Sequence, residues 1–230
     1  MINRLKYYLR KNKYLYAVAR FIKMITINKY VFHKRKKAFI KYGIEALYAF
    51  DDAMKELKIN YWLEFGTLLG AIREKGFIPH DFDIDIGAFI DDYNERNEFV
   101  LNRYGLKRKR IFLVDNGSYA REETYTYKGV NIDIFYFHKR DGEIYCHGFE
   151  ELKDLIKGYN IREVSFKFSG LKYIDFYGRQ ILAPANVDEH LKASYGENYM
   201  LPDPNFSNES AKNVTILKEK KGILIKKRWF

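Results

Sequence analysis

The sequence predicts one α/β (α+β) domain, and three observations carry that expectation. Strand-like alternation is concentrated between residues 61 and 138, and helical periodicity flanks it on both sides. A chain of 230 residues, 47% hydrophobic and 17% aromatic, also supplies enough apolar surface for one sizeable core.

Residues 1–35 interleave Lys and Arg with Tyr, Leu, Phe and Ile and contain neither Pro nor Gly, which suits a helix. Such a helix can lie on an anionic membrane surface, or pack on the core with a solvated basic face; interleaved bases and aromatics also suit single-stranded RNA, the weakest of the three readings. Leu47, Phe50, Met54 and Leu57 recur at three- and four-residue steps and mark an amphipathic helix over 40–58. YWLEF (61–65) reads as a strand ending at Gly66, and GTLLGAIRE (66–74) as a short helix opened by Gly66 and Thr67. After the turn of Gly76 and Pro79, DFDIDIGAF (81–89) alternates strictly, as a half-buried strand does. Residues 91–103 read as helical, and 109–114, 119–128 and 130–138 as strands, the last ending at the Asp141-Gly142 turn. Val187, Leu191 and Tyr195 share a helix face, with Asn186 and Glu189 placed as reciprocal caps.

Charge divides the chain. Residues 1–41 hold 13 Lys and Arg and no acid, residues 218–230 carry a formal +5, and the stretch between them carries −7, within a total of +11. The expected division is a basic extension over 1–40, a central domain over 41–210 and a basic tail over 211–230. An acidic centre directs attention to carboxylates, and nucleic acid is not the expected partner. The single cysteine, Cys146, excludes an intramolecular disulfide framework and a zinc finger and fits a reducing compartment. No apolar run reaches the roughly 18 residues of a spanning helix, and the apolar N-terminal stretch lacks a signal-peptide cleavage site. A cytoplasmic chain, peripheral at the inner membrane face through residues 1–41, is the expectation.

The chemistry concentrates in GTLLGAIREKGFIPHDFDIDIG, residues 66–87. On a strand, Asp83 and Asp85 share one face while Ile84 and Ile86 point the other way. Two carboxylates that close repel one another, and a hard divalent cation such as Mg²⁺ or Mn²⁺ resolves the conflict; a solvated strand face is the alternative. Gly66 and Thr67 combine free amides with a positive helix end, an arrangement that binds phosphate, and Arg73 offers a forked donor two turns along. Asp133 stands alone in VNIDIF (130–135), between apolar neighbours, and is costly there unless something neutralises it or it reaches solvent.

Together these residues resemble the LicD/fukutin group of the nucleotidyltransferase superfamily. The resemblance rests on Gly66-Thr67 within GTLLGAIR, on GFIP followed by Asp83 and Asp85, on IGAFIDDY (86–93), on NIDIFYF (131–137) and on ILAPANVDEHLKASYGENYMLP (181–202), and it covers about 45–205. It implies a nucleotidyltransferase-like mixed sheet flanked by helices. It also implies transfer of ribitol, glycerol or choline phosphate from a CDP-activated donor to a sugar hydroxyl of a surface glycan or lipid-linked glycan. Asp83, Asp85 and Asp133 are the implied catalytic and metal-holding residues for Mg²⁺ or Mn²⁺, and Gly66, Thr67 and Arg73 the implied donor-phosphate contacts. The chain departs from the group's Trp-Asp-Asp-Asp run with His80-Asp81-Phe82-Asp83. Asp81 on the dyad's face is then a secondary ligand or acceptor, and His80 a packing or substrate contact. Arg121, Lys128 and Asn131 are further possible substrate contacts. Nucleotidyl transfer onto a small molecule, and a non-catalytic lipid- or nucleic-acid-binding role for residues 1–41, are the competing readings.

Overall fold

The computed structural model describes residues 13–151, 159–203, 206, 211 and 213–226; side chains of 13–28, 150, 151 and 218–221 lie outside that description. The expected basic extension therefore falls partly outside the described residues. What is described of it is continuous with the domain: one helix, α1 (Lys13–Leu57), runs through the expected boundary at residue 40. Its Leu47, Phe50 and Met54, read from the sequence as one apolar stripe, are buried in the main core.

From α1 the chain enters β1 (Tyr61–Leu63), α2 (Phe65–Arg73) and β2 (Asp83–Phe89). A short 3-10 turn at Ile90–Asp92 and α3 (Asn97–Arg103) follow, so the single helix expected over 91–103 is broken near Tyr93–Arg96. The remaining strands are β3 (Lys107–Val114), β4 (Ala120–Tyr127), β5 (Val130–Arg140), β6 (Glu143–Glu151), β7 (Tyr159–Lys167), β8 (Leu171–Phe176) and β9 (Arg179–Pro184), with α4 (Val187–Tyr195) and β10 (Val214–Lys226) completing the described chain. Asn186 does not cap α4. Its amide donates instead to the Lys167 carbonyl at 3.1 Å and to Glu189 Oε2 at 3.2 Å.

The ten strands form one mixed sheet in the order β4-β3-β10-β7-β6-β5-β2-β1-β9-β8, and β4 also pairs with β5, so six of them return on themselves. This is the α/β architecture with flanking helices that the alternation predicts. Most of the described residues of the segment expected as a tail form a strand, β10 (Val214–Lys226). Rather than a tail, β10 lies inside the sheet, antiparallel to both β3 and β7. Its apolar residues are spaced among lysines, and Ile216, Ile223 and Ile225 stay exposed even with both neighbours paired.

β2 and β5 run parallel in strict register, with Asp83 opposite Asn131, Ile84 opposite Ile132 and Asp85 opposite Asp133. Ile84, Ile86, Ile132 and Ile134 are buried in the core beneath α1. Period-two geometry then turns the acids of both strands to the other face. Burying four isoleucines fixes this register, because a slip of one residue would drive the aspartates into the core.

Candidate active site

α2 begins where the chain turns sharply. Phe65 adopts φ 41°, rare for a non-glycine residue, and Glu64 caps the helix by accepting from the Phe65 amide at 3.1 Å. Glu64 has no solvent exposure. It also accepts from Trp62 Nε1 at 2.7 Å and lies 2.7 Å from His190 Nε2 of α4, which ties β1, α2 and α4 together at one carboxylate. The start of α2 is stitched to β2 by two further bonds. The Gly66 amide donates to Asp85 Oδ2 at 3.2 Å, and the Asp85 amide donates to Thr67 Oγ1 at 2.8 Å. The bare Gly66 leaves room for the Asp81 carboxylate, since a Cβ there would fall 2.3 Å from Asp81 Oδ2 and push it aside.

Beside this helix end lies a cleft of about 720 Å³, whose walls include Gly66, Arg73, His80, Asp81, Asp83, Asp85, Arg110, Glu122 and Asp133. One carboxylate oxygen each from Asp81, Asp83 and Asp85 lies within 4.8 Å of the other two. Burial, a hydrogen bond with Asp83 and its charge push Asp81 up to about 7, opposed by the Phe82 amide and Arg35. Asp85 is raised well above the usual carboxylate range by burial and by Asp83, Asp133 and Asp81. Hard oxygen donors crowded until they hold protons fit a small divalent cation such as Mg²⁺ or Mn²⁺ and do not fit a soft metal.

Asp133 stands in register with Asp85 but outside that cluster of three. Thr124 donates its hydroxyl to Asp133 Oδ1, and Arg110 Nη2 approaches the same oxygen at 3.4 Å. Burial raises Asp133, while Arg110 and Thr124 oppose the rise. Asp81, expected as a secondary ligand or acceptor, lies within the cluster of three.

The other singled-out residues divide. Arg73 lines the cleft with its guanidinium fixed by Glu74 Oε1 at 2.8 Å and the Tyr199 carbonyl at 3.2 Å. His80 is exposed at the rim. Asn131 lies on the acid face and accepts from Lys109 Nζ at 3.2 Å. Arg121 points away from the cleft. On β4 it alternates with the cleft-facing Glu122 and Thr124, pairs with Glu123 at 2.7 Å and lies 3.6 Å over the Tyr93 ring. Lys128 sits in the β4–β5 turn and pairs with Glu45, off the cleft. Neither Arg121 nor Lys128 lines the cleft.

Three charged residues escaped the sequence reading. Arg110 of β3 and Glu122 of β4 enter the cleft because the β3–β4 hairpin lies against β5. Arg35 of α1 reaches Asp83 Oδ2 at 2.7 Å. No local pattern marks them; only strand pairing and helix docking bring them in.

The cleft sets three clustered carboxylates beside the N-terminal end of α2, on one face of the mixed sheet. Residues 58–186 match the family model of the LicD/FKTN/FKRP nucleotidyltransferase domain, and the chain belongs to that family. It is 27% identical over 180 residues to the ribitol-5-phosphate transferase FKTN of Mus musculus, covering 77% of this chain and 36% of that protein. It is 25% identical over 164 residues to the ribitol 5-phosphate transferase FKRP of Homo sapiens, covering 68% and 31%. An uncharacterized protein of Caenorhabditis elegans is 40% identical over 106 residues, 43% of this chain and 27% of that one. The matched segments therefore span between about a quarter and just over a third of the length of these relatives.

Proposed function

We propose that this protein transfers an alcohol phosphate, with ribitol phosphate first and glycerol or choline phosphate as alternatives, from a CDP-activated donor to a sugar hydroxyl of a surface glycan. The observation that carries the reading is the in-register placement of Asp85 and Asp133 on parallel strands, beside Asp81 and Asp83 and against the Gly66 helix end. The names of the FKTN and FKRP relatives support ribitol phosphate as the first choice.

A divalent cation held by Asp81, Asp83 and Asp85 would neutralise the donor diphosphate and stabilise charge on the phosphoryl group in transit. The chain's own residues do the rest. The N-terminus of α2, with the Gly66 backbone bare of a side chain, lets phosphate oxygens approach the helix end. Arg110, its side chain partly exposed, and Arg73 border the same space. The acceptor hydroxyl attacks the alcohol-bearing phosphorus, the bond to the CMP oxygen breaks, and the hydroxyl proton passes to Asp133, the carboxylate beside the cation cluster but outside it. Catalysis of this kind is largely positioning and charge stabilisation.

The basic segment 1–41 is proposed to hold the protein at an anionic inner-membrane surface. Tyr30, Val31, Phe32 and Ile40 are exposed apolar residues on its described part, and among the described residues no helix is long and apolar enough to cross a membrane. The deciding experiment incubates the purified chain and Mg²⁺ with CDP-ribitol, CDP-glycerol and CDP-choline separately, with glycan acceptors, and measures CMP. Release from one donor, lost in Asp83→Asn and Asp85→Asn, is expected. No CMP from any donor overturns the reading, and pyrophosphate release with the nucleotide retained on a small molecule would replace it with nucleotidyl transfer.

A further inference from the structure

α1 approaches the acid cluster along a single stripe. Phe32, Arg35 and Phe39 stand at i, i+3 and i+7, so they share one helix face. Phe32 packs edge-on against Phe82 with ring centroids 5.3 Å apart, and Phe39 packs against Phe82 at 6.1 Å and Phe77 at 4.9 Å. Phe82 is the residue between Asp81 and Asp83, its side chain turned to the opposite side of the strand. The two phenylalanines thus grip the acid-bearing segment from behind and leave the arginine between them at its edge.

Arg35 uses that position. Its Nη2 lies 2.7 Å from Asp83 Oδ2, and its charge reaches Asp81 and Asp133, opposing the rise of both carboxyls. It also helps to lower the Lys109 ammonium, after burial and Arg110. Arg35 therefore stands at the edge of the acid cluster, paired directly with one of its three carboxylates. The fit is incomplete, however. Nε is buried without a hydrogen-bond partner, so the guanidinium engages Asp83 through one nitrogen and leaves its fork unfilled. The side chain stays 39% exposed, and residues 29–34 of the helix are exposed around it, so the guanidinium has room to turn.

We propose that Arg35 is a ligand for the donor diphosphate, parked on Asp83 until a cation takes that carboxylate. The inference rests on the transferase reading and adds to it a residue from outside the 58–186 family match. A guanidinium matches the geometry of phosphate as well as that of carboxylate, and it prefers two parallel bonds to one. A cation on Asp83 removes the reason for Arg35 to stay there. Diphosphate oxygens arriving with that cation then offer the two-pronged partner that Asp83 alone does not. Because arginine and cation compete for the same carboxylate, removing the arginine must affect the two ligands in opposite directions. A purely structural clamp would weaken both.

The test uses the full chain, with Mn²⁺ alone and then inorganic pyrophosphate in saturating Mn²⁺, followed by titration calorimetry. Arg35→Ala is expected to bind Mn²⁺ threefold or more tightly than the unaltered protein and pyrophosphate tenfold or more weakly, with Arg35→Lys recovering part of the pyrophosphate affinity. Phe32→Ala loosens the packing while keeping the guanidinium and is expected to hold pyrophosphate within threefold of the original. The proposal is overturned if Arg35→Ala binds pyrophosphate as the unaltered chain does, if it weakens Mn²⁺ and pyrophosphate in parallel, or if Phe32→Ala loses as much as Arg35→Ala. Opposed shifts without CMP release from any CDP-alcohol would sink the transferase reading and leave Arg35 a diphosphate ligand. CMP release with pyrophosphate binding indifferent to Arg35 would do the reverse.

Discussion

Gly66→Ala separates the site from the stability of the fold. The added methyl would sit 2.3 Å from Asp81 Oδ2 and 3.3 Å from Asp85 Oδ2. Non-bonded heavy atoms settle at roughly 3.5 Å, so the Asp81 carboxylate must retreat by about 1 Å. That group is the free end of a side chain, and its retreat costs the fold little. Gly66 does not use left-handed backbone, and alanine in place of glycine within a helix is worth up to about 1 kcal/mol. Thermal stability should therefore hold or rise. The metal site should fail, because displacement of about 1 Å in a catalytic constellation costs on the order of 100-fold in rate. The measurements are Mn²⁺ affinity by titration calorimetry, expected to fall at least tenfold, CMP release, and the melting temperature. Gly70→Ala is the counter-case. Its methyl would meet the Gly76 carbonyl at 2.5 Å and the Ile78 amide at 3.1 Å, backbone that cannot swing aside, so it should lose about 1–3 kcal/mol of stability. Undiminished Mn²⁺ affinity and turnover in folded Gly66→Ala protein would refute the claim that the Asp81 carboxylate belongs to the metal site.

Three further outcomes are expected. Glu64→Ala strips partners from Trp62, the Phe65 amide and His190 in a fully buried place, and should cost about 3–5 kcal/mol, a fall of about 10 °C in melting temperature read by differential scanning calorimetry. Glu122 is pushed from its ordinary 4.5 up to about 8 by burial and by the Asp133 charge, against the pull of Arg110. The folded state therefore holds this proton more tightly than the unfolded state. Its contribution is full below about pH 4.5 and is lost as pH rises through about 8; Glu122→Gln should flatten the decline in urea midpoint between pH 5 and 8, measured in EDTA. Deleting residues 211–230 should abolish cooperative unfolding and soluble expression, since β3 and β7 would each lose one of their two partners and the sheet would open between them; a soluble, cooperatively melting truncation would show that β10 is dispensable.

Much of the site was legible because its parts are local. Alternation in DFDIDIG and VNIDIF places the acids on one face of each strand and the isoleucines on the other, and this holds whatever the strands pair with. Gly66 and Thr67 mark a helix start for equally local reasons, although Glu64 supplies the cap and Thr67 turns its hydroxyl to the Asp85 amide. For Asp81 the strand face predicts direction only. Convergence of three oxygens depends on how the chain enters β2 after Ile78 and Pro79.

What the sequence by itself determined is the set of short-range facts: an α/β chain, an acid-bearing strand, a glycine at a helix mouth, a basic end, and too few cysteines for a zinc finger. Tertiary structure alone decided that Asp133 stands opposite Asp85, that Arg121 faces the far side while Arg110 and Glu122 enter the cleft, that a basic segment delivers Arg35 to Asp83, and that a lysine-rich terminus is an interior strand. The physical reason is range. Side-chain direction along one element follows from a backbone repeat of two or 3.6 residues, whereas neighbours across a sheet or under a helix are chosen by the burial of distant apolar faces, which no local spacing records.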